Sequence, residues 1–540
     1  MDTIMDMVNV IITGIIPKVS NRVMVQQESR VRKSLLNARV NLIFYFLTLA
    51  LSFFSRRIFL DTLGANFVGL TGTLQNLLGF LNLAELGIGS AIGYVLYKPL
   101  FDHDEVKINE IISVFGYLYR WIGWIILIAG CILACFLPLI FPNTEFDLAL
   151  IFFAYFSFLV SSLIGYFANY KQTLLGADQK NYVVTAYFQT ASLIKTIIQM
   201  ALAYYTGNYY IWVAIELLFG VIYSCILNWK INQVYPWLKL EVRQGKLLFK
   251  KYPEVMEYTK QLFVHRISAF VQFQISPFLV YLFVSLHTVA LYGNYTLVID
   301  KINLLLYNML GGVSAGVGNL ITEGNSSKIL QVFWELFAIR FLIVGIAIFG
   351  LYQLVPPFIL LWLGEKYILA DWVLFLLVVN FFIAISRGTI DPFLYGYGLF
   401  YDTWAPITES AIYVTVALVG GYCWGLTGVI LGSTVSLFLI ICLWKPYFLF
   451  TKGFNRKLSL YWLGWIKYTL TLAGAIILCT LISDEFIYIR PVTWRGFMLY
   501  SLLIMLLFST IYTVILWLVS KSLRSVLGRL LFNYIQRNDT

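Results

Sequence analysis

Charged residues are scarce in this sequence. Asp, Glu, Lys and Arg make up only 12% of the 540 residues, about half of the roughly 25% that is usual in soluble domains. Apolar stretches of about 20 residues recur along the whole length, and each is long enough to cross the hydrocarbon core of a bilayer. The longest polar connection runs only from about Lys230 to Lys260. These features leave no room for a soluble domain and predict an all-α polytopic membrane protein.

Residues for metal or nucleotide chemistry are also scarce. The sequence has three histidines and six cysteines, and every cysteine falls in an apolar stretch. Cys131 and Cys135 are four residues apart, but no His or acidic residue stands nearby to complete a metal site. We therefore expect the cysteines to pack in the core, with neither a disulfide framework nor a metal. No Gly-rich loop followed by Lys-Ser/Thr is present, so we expect neither ATP hydrolysis nor a cofactor.

About fourteen apolar spans are present. They begin near residues 35, 67, 110, 148, 181, 209, 259, 289, 329, 368, 403, 425, 460 and 495. We expect two pseudo-symmetric six-helix lobes around a central cavity, followed by two extra helices. The predicted boundaries are residues 1–34 for a cytosolic or interfacial arm, 35–240 for the N-lobe, 241–258 for a cytosolic linker, 259–453 for the C-lobe, and 454–540 for the last two helices and a basic tail.

The distribution of Lys and Arg predicts the orientation of these spans. If the N-terminus lies in the cytosol, the cytosolic segments hold 26 of the 38 Lys and Arg residues, the outer segments hold five, and seven lie within spans. Such an excess is typical of cytoplasmic loops, so we expect both termini in the cytosol. Membrane insertion and attraction to anionic lipid account for the net charge of +11, and binding to nucleic acid is not needed to explain it.

Two stretches 224 residues apart repeat the same polar pattern. The first polar stripe is Asn37, Asn41, Thr48 and Ser52, and the second is Gln261, His265, Gln272 and Ser276. At the helical period each set falls within an arc of about 60° and runs about 22 Å along one face. The next predicted helix repeats as well, because residues 69–91 map onto residues 293–315. Polar stripes of this length are costly in lipid and should face a wet cavity, which indicates a transporter built from two parallel repeats.

Several cations lie beside these stripes. Arg56 and Arg57 end the first helix, and Ser52 and Arg56 are four residues apart. Either the arginines reach the outer headgroups, or they form a positive site for an anionic headgroup, since a guanidinium donates two hydrogen bonds to a phosphate. Arg266 and Lys301 are candidates for extending a cationic path inward. A different pair, Arg387 and Asp391, is spaced as a local ion pair.

Two acidic residues are candidates for ion coupling. Glu85 has no cation within four residues on its own helix, and Asp300 adjoins Lys301, whose side chain points about 100° away. A lone carboxylate in a span could carry a coupling proton or hold a sodium ion. The alternative for Glu85 is an ion pair with Arg or Lys on a neighbouring helix.

Short motifs in the first half resemble a known family. They are a basic residue followed by Leu63-Gly64, then Phe67-Val68-Gly69-Leu70, Glu85-Leu86-Gly87-Ile88-Gly89-Ser90-Ala91, Thr173-Leu174-Leu175-Gly176-Ala177-Asp178-Gln179-Lys180 and Tyr235-Pro236. In order and spacing they resemble Wzx-type polysaccharide flippases of the multidrug/oligosaccharidyl-lipid/polysaccharide exporter superfamily. The likeness is best over residues 35–240. In the second half it rests on the number of spans and on the repeat.

This resemblance implies a function. It implies a flippase that moves a polyprenyl-diphosphate-linked oligosaccharide, made on the cytosolic leaflet of a bacterial inner membrane, to the outer leaflet by alternating access. The drive would come either from a gradient of H⁺ or Na⁺ or from consumption of the product on the outer side, and a polysaccharide polymerase is a candidate partner. The diphosphate would bind the cations named above, and the sugars would meet the polar stripes. Fourteen spans are shared with some members of the superfamily, including lipid II flippases, so the cargo class stays open.

Other functional classes fit the sequence less well. A cation-coupled multidrug exporter would favour an acidic or aromatic cavity, and the Arg56–Arg57 pair argues against one. A membrane glycan polymerase or ligase would carry a sizeable outer loop with catalytic residues, whereas the outer connections here are short. A scaffold without transport would have no reason to keep two matched polar stripes in lipid. We therefore expect a transporter and no enzymatic activity.

Overall fold

The computed structural model describes most of the chain between residues 30 and 538. The described residues are 30–81, 85, 88–142, 144–178, 180–253, 255–256, 259, 271, 275–310, 317, 320–321, 323–399, 401–487, 489 and 491–538. The predicted arm at residues 1–34 therefore lies almost wholly outside the described part. The chain divides into two compact units, Met1–Phe278 and Leu279–Thr540.

The first unit is built from ten helices among its described residues. They are α1 (Arg30–Thr62), α2 (Gly64–Leu81), α3 (Ile88–Asp102), α4 (Glu105–Cys135), α5 (Leu137–Ile140), α6 (Leu148–Phe167), α7 (Gln172–Ala177), α8 (Asn181–Thr206), α9 (Tyr209–Val234) and α10 (Gly245–Phe249). Helix α1 packs on α8, α9 packs between α6 and α8, and α4 packs on α3 and α6. Tight turns separate several of these helices, as at Gly207, whose φ of 58° is left-handed and suits a residue without Cβ.

The second unit is built in the same way from long helices. They are α11 (Leu286–Leu310), α12 (Ser326–Leu363), α13 (Asp371–Gly396), α14 (Trp404–Trp424), α15 (Leu426–Gly453), α16 (Ser459–Phe486), α17 (Trp494–Val519) and α18 (Lys521–Asn538). Helix α15 widens into π-helical turns at Phe438–Trp444 and Leu449–Gly453. Helix α17 packs on α12 and α16, and the rings of Phe349 and Phe508 stack at 3.8 Å between α12 and α17.

The fold confirms the predicted class. Within the described part of the chain, nine helices are long and apolar enough to cross a membrane, and the count of fourteen stays a prediction. Residues 69–91, predicted as one helix, include the end of α2 at Leu81 and the start of α3 at Ile88, and residues 82–84, 86 and 87 lie outside the described part. The expectation that the cysteines pack in the core was wrong for four of the six. Only Cys442 and Cys479 are buried, and the others lie exposed on apolar helices, since a lipid-facing surface accepts a thiol as readily as a core does.

Glycines permit the closest helix crossing that we find in the second unit. Gly420 on α14 and Gly428 on α15 face each other with their backbones in contact. A Cβ on Gly420 would lie 2.8 Å from the carbonyl oxygen of Gly428, and a Cβ on Gly428 would collide with the carbonyl oxygen of Gly420. Small residues at such crossings let helices approach closely where no hydrophobic effect drives their association.

This crossing generates a first prediction. Gly428→Ala should lower the free energy of unfolding by about 1–3 kcal/mol, because the added methyl group forces the two backbones apart. The measurement is the thermal unfolding midpoint of the purified protein in detergent. The matched control is Gly474→Ala on α16, where nothing lies within 4 Å of the position that a Cβ would occupy, and its midpoint should stay unchanged or rise. Equal midpoints for the two variants would contradict the prediction.

Candidate functional site

The first polar stripe lies along α1. The Asn41 side chain is exposed, and Thr48 and Ser52 are half-buried; of Asn37 the structure describes only the helical backbone. The Thr48 hydroxyl donates to the carbonyl oxygens of Phe44 at 2.7 Å and Tyr45 at 3.1 Å, and the Ser52 hydroxyl donates to that of Leu49 at 2.8 Å. Both hydroxyl O–H donors therefore have hydrogen-bond acceptors within the helix, which lowers the free-energy cost of placing them in lipid.

The two arginines at the end of this stripe differ in their surroundings. Arg56 is half-buried and lies one turn beyond Ser52, on the same side of α1. Arg57 is exposed, and its Nε lies 3.7 Å from the Asp61 carboxylate, which is also exposed. An exposed pair of this kind contributes little to stability. Arg56 is thus the arginine that adjoins the polar stripe.

Most of the second polar stripe lies outside the described residues. Gln261, His265, Arg266 and Gln272 belong to that part of the chain, whereas Ser276 is described and half-buried. In the second unit, Asp300 is exposed and Lys301 is half-buried on α11. Each unit thus carries part of the predicted site, and the roles of these residues remain predictions.

Glu85 has two tyrosines as hydrogen-bond donors. The Tyr166 hydroxyl donates to Oε2 at 2.7 Å, and the Tyr119 hydroxyl donates to Oε1. Glu85 lies between α2 and α3, while the tyrosines come from α6 and α4. The predicted alternative was an ion pair between Glu85 and a cation. Among the described residues, the partners of the Glu85 carboxylate are instead the two phenol hydroxyls. Sequence reasoning missed them because they lie 34 and 81 residues away.

The surroundings hold these two tyrosines in place. Both are buried, with 6% of Tyr119 and 4% of Tyr166 exposed, and their ring centroids are 5.4 Å apart. Phe115 packs on Tyr119 with ring centroids 4.1 Å apart. A Cβ on Gly89 would lie 3.4 Å from the Tyr119 hydroxyl, so the start of α3 comes close to this group. The result is a carboxylate that accepts hydrogen bonds from two neutral donors of two other helices.

A second intramembrane carboxylate in this unit has a cation. Lys195 Nζ on α8 lies 2.6 Å from Glu216 Oε1 on α9, and Gln199 Nε2 donates to Oε2 at 3.0 Å. Both charged side chains are 20% exposed. Sequence reasoning treated the two residues separately. The available signal was the turn at Gly207 and Asn208, which joins the two helices that carry Lys195 and Glu216 and makes them neighbours.

The second unit holds its own intramembrane charges. The predicted ion pair is confirmed, because Arg387 Nε lies 2.6 Å from Asp391 Oδ2 on α13. Arg340 on α12 donates from Nη1 to the carbonyl oxygen of Ile385 at 2.9 Å. Gly388 leaves room for this guanidinium, which a Cβ there would strike. The two arginines are therefore held by α13 itself.

Two of the resembling motifs meet in space. The Tyr235 hydroxyl donates to Asp178 Oδ2 at 2.8 Å, and Lys180 Nζ lies 2.7 Å from the same oxygen. Lys180 Nζ also lies 5.0 Å from the centroid of the Tyr235 ring. These contacts tie the loop before α8 to the end of α9, so this part of the pattern has a structural role.

Comparisons with known proteins bear on this architecture. The sequence matches no protein-family profile and no curated protein. The structure is similar to that of the lipid II flippase MurJ in an inward closed conformation, with a TM-score of 0.61 at 15% identity over 89% of this chain and 99% of that one. It is also similar to an inward-facing multidrug resistance MATE family transporter of the MOP superfamily, with a TM-score of 0.57 at 14% identity over 77% of this chain and 97% of that one. The chain therefore has the fold of these transporters.

The Lys195–Glu216 pair generates a second prediction. Lys195→Met should lower the free energy of unfolding by about 3 kcal/mol, because it leaves a largely buried carboxylate without its cation. Lys195→Met/Glu216→Met should recover most of that loss, since no charge then remains to be desolvated. The measurement is thermal unfolding in detergent of the wild type, both single variants and the double variant. A double variant no more stable than Lys195→Met would show that the two residues are not coupled.

Proposed function

We propose that this protein is a flippase that moves a polyprenyl-diphosphate-linked oligosaccharide from the cytosolic to the outer leaflet of a bacterial inner membrane, for cell-surface polysaccharide assembly. The observation that carries the proposal is the similarity of fold to a lipid II flippase over 89% of this chain. A shared fold alone does not assign a cargo, so the choice of cargo rests on the residues of the site.

Arg56 is the residue that we assign to the diphosphate. It is half-buried and adjoins the first polar stripe, where a planar guanidinium can donate two hydrogen bonds to a phosphate in a partly dry environment. Arg57, Arg266 and Lys301 complete the proposed cationic path. We assign the sugars to the amide, imidazole and hydroxyl groups of the two polar stripes, of which Asn41 is exposed on α1.

Glu85 is the residue that we assign to ion coupling. Its carboxylate accepts hydrogen bonds from two tyrosines, so uptake of H⁺ or Na⁺ would change its charge without first breaking an ion pair. The carboxylates of Glu216 and Asp391, in contrast, already have cations. Asp300 is the second coupling candidate, and membrane lipid and a polysaccharide polymerase are the proposed partners.

A cation-coupled multidrug exporter is the second candidate function. The Glu85 group favours it, since a carboxylate lined by tyrosine rings also suits an organic cation, and a multidrug transporter shares the fold. The half-buried Arg56 argues for an anionic cargo. The two functions differ in the sign of the cargo's charge, so one assay can separate them.

A flipping assay tests the proposed cargo. The purified protein in liposomes should move a labelled short-chain polyprenyl-diphosphate oligosaccharide between leaflets. Arg56→Ala should slow this movement by about tenfold to a hundredfold, as expected for the loss of a hydrogen-bonded charge. Arg57→Ala should slow the movement less, by about fivefold or less, because this guanidinium is exposed and lies beside an exposed carboxylate.

The same liposomes decide between the two candidate functions. Transport of a cationic dye in place of the lipid-linked oligosaccharide would overturn the flippase and support the exporter. Equal slowing by Arg56→Ala and Arg57→Ala would overturn the assignment of the diphosphate to Arg56. Arg266→Ala extends the series to the second polar stripe and should also slow the flipping.

Glu85→Gln tests the coupling assignment. The amide still accepts a hydrogen bond but takes up no proton, so an imposed H⁺ or Na⁺ gradient should no longer accelerate flipping. Movement down a gradient of the cargo itself should persist. Tyr119→Phe keeps the carboxylate and should retain a gradient response of reduced size. A normal response in Glu85→Gln would assign the coupling to another residue, and Asp300→Asn is then the next variant.

A further inference from the structure

The segment that follows α9 is docked on α4 along its length. We call residues 235–252 the strap. The backbone N–H of Lys239 donates to Asn109 Oδ1 at 2.8 Å, and that of Glu241 donates to Ser113 Oγ at 3.0 Å. Backbone donors bound by side chains of a helix fix the path of the strap, as capping side chains fix the end of a helix.

Both ends of the strap are also fastened. At its start, the Tyr235 hydroxyl donates to Asp178 at 2.8 Å. At its end, Glu110 accepts from Lys251 Nζ at 2.6 Å and from the Tyr252 hydroxyl at 2.5 Å. Between these points Gly245 lies against α4, where a Cβ would be only 3.0 Å from the carbonyl oxygen of Ser113. The strap overlaps the predicted linker at residues 241–258 and is an ordered part of the first unit.

The exposed side chains of the strap are mostly basic. The exposed cations are Lys239, Arg243, Lys246, Lys250 and Lys251, and the single acidic residue of the strap, Glu241, is also exposed. Lys251 is paired with Glu110, so four other cations stand against one exposed carboxylate. Leu247 lies among them in sequence, with 72% of its surface exposed. Because α4 holds the backbone of the strap, these side chains belong to a segment whose path is fixed.

We propose that the strap binds anionic phospholipid headgroups of the cytosolic leaflet. The charge distribution along the chain places the strap on the cytosolic side, directly after the membrane helix α9. Lys and Arg clusters at that position bind anionic lipid, and an exposed Leu beside them can enter the headgroup boundary. The strap would thereby make the protein sensitive to the anionic lipid content of its membrane. This inference goes beyond the proposed transport function and does not depend on the cargo.

Lipid binding to the full-length protein in detergent tests the inference. Fluorescent phosphatidylglycerol should bind more tightly than phosphatidylcholine, and added salt should weaken the binding. Arg243→Gln/Lys246→Gln/Lys250→Gln should weaken phosphatidylglycerol binding about a hundredfold at low salt, at about fivefold for each cation removed. The control is Lys366→Gln/Arg495→Gln, which removes two exposed cations from segments predicted to lie on the outer side and should change the binding about twofold or less.

Two further measurements separate a fixed surface from other sources of binding. Glu110→Gln raises the net charge but loosens the end of the strap, so binding should weaken, whereas a response to net charge alone would strengthen it. At matched ionic strength, inorganic pyrophosphate should displace the phospholipid no more than sodium chloride does. Equal losses in the triple variant and its control, tighter binding by Glu110→Gln, or displacement by pyrophosphate beyond that by sodium chloride would each overturn the proposal. None of these measurements requires transport, so their outcome is independent of the outcome of the flipping assay.

Discussion

Hydrocarbon offers no hydrogen-bond partner, and this constraint shapes many of the polar groups that the structure describes in the membrane helices. Hydroxyls on α1 donate to carbonyl oxygens of their own helix, as Thr48 does at 2.7 Å. Buried phenols reach backbone carbonyls of a neighbouring helix, as Tyr155 does to Gly130 at 2.7 Å and Tyr512 does to Phe341 at 3.1 Å. Each phenol–carbonyl hydrogen bond joins two helices, so the bond that satisfies the polar group also contributes to the assembly of the helices.

The same constraint separates the intramembrane carboxylates by the partners that they have. Lys195 with Glu216, and Arg387 with Asp391, are matched pairs whose desolvation is offset by the partner. Among the described residues, Glu85 instead has two tyrosine donors. A neutral shell stabilises a carboxylate less than a cation does, which is why we propose ion coupling at Glu85 rather than at Glu216 or Asp391. That contrast, more than the presence of an acid in a span, is the reason to place coupling there.

Local spacing predicted part of the site. Arg387 and Asp391 are four residues apart on one helix, and the helical period alone brings them together. The Lys195–Glu216 pair and the Tyr235–Asp178 contact join residues 21 and 57 positions apart. These contacts depend on the geometry of the turn between α8 and α9 and on the packing of the end of α9. The hydrophobic period of the sequence predicts neither. The linker illustrates the same limit, because the polar connection from Lys230 to Lys260 predicted a break between the lobes but not that α4 would hold the segment.

The sequence by itself determined the membrane class, the all-helical fold and the predicted orientation. Apolar length, the 3.6-residue period and the distribution of Lys and Arg are properties of short stretches of chain, and the bilayer acts on each stretch separately. Only the tertiary structure decided which side chains share a site. The partners of Glu85 come from two other helices, and the strap lies on a helix more than a hundred residues earlier. The chain contains many polar residues of the same types far apart in sequence, and composition does not distinguish which of them become partners. The packing of the assembled helices determines which of these residues come into contact.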